Sequence, residues 1–114
     1  MPRRTKVYGL LGLLALAGAL PGAPSSADPD AERRQGLRHL LLHDCGSCHG
    51  LTMRGGLGRP LLPESLADKS DEALTSIILH GMPGTPMPPW AAEIDEDEAL
   101  WLVTLLRGGV SLGD

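Results

Sequence analysis

The chain contains no Phe, one Tyr and two Trp, so aromatic rings supply little bulk for a core. At 114 residues it is one small domain at most, and a short chain without such rings buries little surface and is marginal on its own side chains. An apolar group from outside the polypeptide would fill the deficit. Cysteine is as scarce: two residues, Cys45 and Cys48, both in one CxxC. A disulfide between them would close a four-residue loop and stabilise little. Positive charge is short as well. Beyond residue 27, where Lys69 is the single Lys, seven basic residues stand against 14 acidic ones, a formal charge of −7. That balance argues against nucleic acid as a partner. No stretch alternates apolar and polar residues at period two over a useful length, and no internal repeat is present, so neither a sheet nor a solenoid is expected.

Long apolar runs are missing too, with one exception near the start. Arg3, Arg4 and Lys6 precede Val7 to Leu20, which is almost wholly apolar, and Pro21 and the small residues Ala23 to Ala27 follow. The run has 14 residues, too few for a spanning helix, which needs about 20. The layout is that of a secretory signal peptide cut after Ala27, leaving no membrane anchor. Residues 28–114 are then the mature domain, placed in the periplasm. Basic residues gather early (Arg33, Arg34, Arg38, Arg54 and Arg59), acidic ones in Glu93 to Glu98, so a dipolar molecule is expected.

In the mature part, the spacing of Leu37, Leu40 and Leu41 predicts a helix over 31–43, capped by Asp28 or Asp30. Gly36 is costly inside it and predicts a close crossing, with Trp101 as the bulky ring opposite. The Gly- and Pro-rich stretch 50–63 reads as an irregular loop. A short Pro-led turn follows at 63–67. Ser70 then caps a helix that Gly81 ends. Met82 to Pro89 holds four Pro, so no regular element persists there. Asp95 to Glu98 opens the last helix, which ends at Arg107 and two Gly. The expected fold is all-α with long loops.

Cys45-Gly46-Ser47-Cys48-His49 is a signature for covalent haem attachment. Two thiols at this spacing suit thioether bonds to the two haem vinyl groups, and the following His is placed to reach the iron. A thioredoxin-like redox pair would need a βαβ setting that is absent, and a zinc site has no second CxxC. One covalent haem c is therefore the expected cofactor. For the sixth iron ligand, Met87 stands on a Pro-stiffened loop; Met82 and His80 compete, whereas Met53 lies too close to His49 in sequence. Three more residues are expected near the haem: Pro60, whose carbonyl would accept from the His49 imidazole, and Trp90 and Arg59, each able to reach a propionate.

The order of these pieces resembles class I cytochromes c over nearly all of residues 31–108, which implies three to five helices wrapped around one haem. The runs Cys48-His49-Gly50-Leu51-Thr52, Arg54-Gly55-Gly56-Leu57-Gly58 and Pro83-Gly84-Thr85-Pro86-Met87-Pro88-Pro89-Trp90 are similar to NirC-type cytochromes, encoded with the cytochrome cd-type nitrite reductase of denitrifying bacteria. That resemblance implies a monomeric periplasmic single-electron carrier, not an enzyme, whose redox partner is the nitrite reductase. The alternatives are a factor in maturing the reductase's modified haem and a donor to another periplasmic oxidoreductase. With one mature Lys, docking by a ring of Lys is not expected; apolar contact around Met53, Leu57 and Pro86, rimmed by Arg54 and Arg59, takes its place.

Overall fold

A computed structural model describes residues 28–110, together with Gly18. The proposed leader, residues 1–27, otherwise lies outside the described residues. Five α-helices and one π-helical turn make up the regular structure, and no strand occurs among the described residues.

Helix α1 (Ala31–Leu40) starts where Asp30 accepts a hydrogen bond from the Arg33 amide at 2.8 Å. It does not run on as a plain α-helix. Leu41–Cys45 is a π turn, in which the Gly46 N–H reaches back five residues to the Leu41 carbonyl, and α2 (Gly46–His49) continues from it. One extra residue in a turn rotates the following helical face by about 100°. Leu37 and Leu41 sit in the core, while Cys45 packs against its edge and stays only partly buried. Helix α3 (Pro63–Leu66) carries Pro at its first turn. Helix α4 (Asp71–His80) is capped by Ser70, whose hydroxyl accepts from the Ala73 amide. Helix α5 (Glu96–Arg107) opens on a reciprocal capping box between Asp95 and Glu98.

The core is aliphatic: Leu37, Leu41, Met53, Leu66, Leu74, Ile94, Ala99, Leu102, Val103 and Leu106. Two arginines pin α5 at its two ends. Arg33 of α1 forms a two-pronged ion pair with Glu98 and donates to the Glu93 carbonyl at 3.0 Å. The early basic run and the late acidic run thus interlock here. Arg107 donates to Asp71 at 2.6 Å and to the carbonyls of Leu66 and Lys69, tying the end of α5 to α3 and the start of α4.

The expected Gly36–Trp101 crossing is absent. A Cβ built on Gly36 meets nothing within 4 Å, and the residue is exposed. Trp101 lies instead under the Arg38 guanidinium, 5.8 Å from ring centroid to cation, in a groove also lined by Arg34, Thr104 and Leu105. Helices α1 and α5 approach through Leu37 and the Arg side chains, so Gly36 faces outward.

Candidate functional site

On a helical backbone, residues i, i+3 and i+4 share one face. Cys45, Cys48 and His49 have that spacing across the end of the π turn and α2, so both thiols and the imidazole face the same side. Both cysteines are free and half-buried. Burial, with the neighbouring Asp44 carboxylate adding to it, pushes the Cys45 thiol up to about 11.

His49 is held by the loop that follows it. Its Nδ1 donates to the Arg59 carbonyl at 2.6 Å. With Nδ1 so engaged, Nε2 is left free to bind a metal ion. The acceptor is not the Pro60 carbonyl but the one immediately before it. Pro60 sets this up indirectly: its ring packs against Gly55, where an added Cβ would touch ring atoms at 3.3 Å, and the locked ring fixes the peptide that carries the Arg59 oxygen. Gly58 closes the other side of the imidazole. A Cβ there would stand 2.8 Å from both Cε1 and Nδ1, so only a glycine lets the loop lie on the ring. The same loop satisfies the carbonyls left open at the end of α2: Gly58 donates to Cys48 O at 2.7 Å and Gly55 to His49 O at 2.8 Å.

Met87 sits half-buried in a loop clipped to itself and to α4. The Thr85 hydroxyl donates to the Met82 carbonyl at 2.7 Å and accepts from the Met87 amide at 3.3 Å. Gly81, with φ of 69°, lies so close that a Cβ would come within 2.6 Å of the Met87 carbonyl. Past the methionine, the amides of Trp90 and Ala91 donate to the carbonyls of Ile78 and Leu79 at the end of α4. Met82 is 45% exposed and His80 is exposed. Trp90 is half-buried against the core, and Arg59 is exposed.

Met53 departs from expectation. It is 3% exposed and adopts φ of 60°, so it belongs to the core and not to a docking surface. The loop turns there because Met53 accepts from the Leu61 amide while donating to Gly50 O, which drives its side chain inward. Leu57, at 95% exposure, and Leu51, at 62%, are the apolar residues this loop presents to solvent. Sequence reasoning missed Gly58, Thr85 and the Arg59 carbonyl. Of these only Gly58 left a trace, as one more Gly in a Gly-rich loop.

The donor set fits a covalently held haem: two unpaired thiols on one face, an imidazole with its outer nitrogen fixed, and a thioether on a clipped loop. Leu40, Leu61, Ile78, Leu79 and Trp90 are apolar yet only partly covered, a wall that an apolar macrocycle would complete.

A family model described as cytochrome c oxidase, cbb3-type, subunit III matches residues 32–106. The chain is 53% identical over 109 residues to cytochrome c55X of Pseudomonas aeruginosa, covering 94% of this chain and 91% of that one. It is 39% identical over 97 residues to the dihydro-heme d1 dehydrogenase of the same organism, covering 85% of this chain but 17% of that much longer protein. Among solved structures, a c-type cytochrome NirC superposes with a TM-score of 0.71 at 53% identity, covering 75% of this chain and all of the other.

Proposed function

We propose that this chain, which belongs to the cytochrome c55X (NirC) family of c-type cytochromes, carries its haem c on Cys45 and Cys48, with His49 and Met87 as the iron's axial ligands. The protein is a monohaem electron carrier. Haem supplies the one-electron chemistry, and the polypeptide supplies ligands, burial and a docking face. The observation that carries the assignment of residues is the fixing of His49 between Gly58 and the Arg59 carbonyl, beside two free thiols. His49 and Met87 would both be taken up in holding the iron, which favours a carrier over an enzyme. Pro60 shapes the His49 acceptor, while Trp90 and Arg59 stand as propionate partners.

The electron acceptor we propose is the cytochrome cd-type nitrite reductase of the periplasm, reached after residues 1–27 are removed as a leader. No helix among the described residues is long and apolar enough to cross a membrane. Docking uses Leu57 and Pro86, with Arg54 and Arg59 at the rim. Partner-specific contact is apolar because Lys69, the single mature Lys, lies beside Asp68 at 3.2 Å. Mixing reduced protein with purified oxidised reductase tests the pathway: rapid oxidation of the cytochrome is expected, and negligible oxidation overturns it. A second reading, a redox helper in maturing the reductase's modified haem, is favoured by the likeness to a dihydro-heme d1 dehydrogenase. It gains if transfer to the reductase is negligible while deletion of the chain depletes that haem.

A further inference from the structure

The end of α1 and the π turn that follows it carry two exposed imidazoles that electron transfer does not use. His39 and His43 are both exposed, four residues apart, with ring centroids 4.2 Å apart and planes tilted by 44°. We propose that this pair chelates one divalent first-row transition cation, cupric or zinc, at a surface site separate from the haem iron.

Two imidazoles one helical turn apart, with ring centroids 4.2 Å apart, are close enough for one nitrogen of each to reach a single ion. Nitrogen donors select copper, zinc or nickel over calcium and magnesium, which take oxygen ligands. The tilt keeps the rings from stacking flat, so one nitrogen from each can turn towards a shared ion. Nothing crowds the approach. Gly36, one turn before His39, has open space where a side chain would be. Arg38, adjacent in sequence to His39, is engaged over Trp101. Asp44, exposed and adjacent in sequence to His43, adds local negative charge to a domain that is already strongly acidic. Among the described residues no group of three or more His, Cys, Asp or Glu is placed to enclose a metal ion, so water completes the coordination and the site stays open.

The location gives the site a consequence. His39 belongs to α1 and His43 to the π turn that ends at Cys45. A bound cation would staple the junction where the helix changes register and presents its thiols, and a ligand that binds only the folded form raises stability.

Ferric haem-loaded protein titrated with cupric ion tests this by calorimetry and electron paramagnetic resonance. The expected result is saturable uptake of one copper with nitrogen hyperfine structure. His39→Ala and His43→Ala should each weaken uptake by about tenfold or more, and Glu72→Gln, at an exposed carboxylate on α4, should leave it unchanged. Zinc should raise the melting temperature of the wild-type protein and of neither His variant, each variant first shown to hold haem by its visible spectrum. Copper uptake that survives both His substitutions, a loss in only one of them, or no saturable uptake would overturn chelation by the pair.

Discussion

Replacing Gly58 by Ala probes how the His49 imidazole is held. The new methyl carbon would stand 2.8 Å from Cε1 and Nδ1 and 3.2 Å from Cγ. Ordinary carbon contacts begin at about 3.5 Å, so ring or loop must give by about 0.7 Å. Gly58 does not have positive φ, so alanine brings no backbone penalty of its own, and the perturbation falls on the imidazole. The loop is pinned to Cys48 O, which leaves the ring to move away from the Arg59 carbonyl. Overpacking of this kind costs about 1–3 kcal/mol. Weakening the hydrogen bond from Nδ1–H to the Arg59 carbonyl makes the imidazole a less basic ligand, which disfavours ferric iron, so the reduction potential should rise. Guanidinium unfolding and a potentiometric titration of the haem-loaded variant read the two effects. An unchanged unfolding midpoint together with an unchanged potential would refute the account of how His49 is fixed.

Other perturbations separate the remaining parts. Gly36→Ala, at an exposed helical position with no neighbour, should stabilise by about 0.5–1 kcal/mol; a lower melting temperature would restore the close crossing that the structure lacks. Thr85→Val removes the hydroxyl that clips Met82 to Met87. Loss of about 1–1.5 kcal/mol there should speed cyanide binding to the ferric protein roughly tenfold, and an unaltered rate would show that Thr85 does not hold the methionine loop. Glu98 bears on acid stability. Its hydrogen bond from Arg33 holds the carboxyl below its ordinary 4.5, with the Asp95 amide helping. Because the folded value is the lower one, the pair's contribution is full above about pH 4.5 and is lost as pH falls through the folded value. Glu98→Gln should therefore flatten the acid limb of the stability curve, and a limb of the same slope would exclude this pair as its source.

Much of this was legible in the sequence because it rests on local chemistry. Ser70, Asp95 and Asp30 announce helix starts through side chains that bond amides three residues on, and all three do so. The thiol and imidazole spacing needs no tertiary information either. What escaped depends on contacts between distant segments. The π turn carries neither Pro nor an unusual residue run, and the leucine spacing that predicts the helix ends at its first two residues, Leu41 and Leu42, so it gives no sign of the change in register. Gly36 looked like a packing device because a glycine inside a helix asks for a reason, yet nothing approaches it. Pro60 was placed one peptide too far along: a proline's visible constraint acts on its own φ, while its effect here is to aim the carbonyl before it. Met53 read as a surface methionine in a polar loop, and only the backbone bonds to Gly50 and Leu61 reveal that it turns into the core.

The most direct measurement is the visible spectrum of protein expressed with a cytochrome-maturation system, recorded oxidised and reduced and repeated for Met87→Ala. The account predicts sharp reduced c-type bands that survive denaturation, as a covalent haem must, with a weak ferric Met–iron band at the red end that disappears in the variant. A protein that holds no haem under those conditions, or a ferric Met–iron band that persists without Met87, would contradict it.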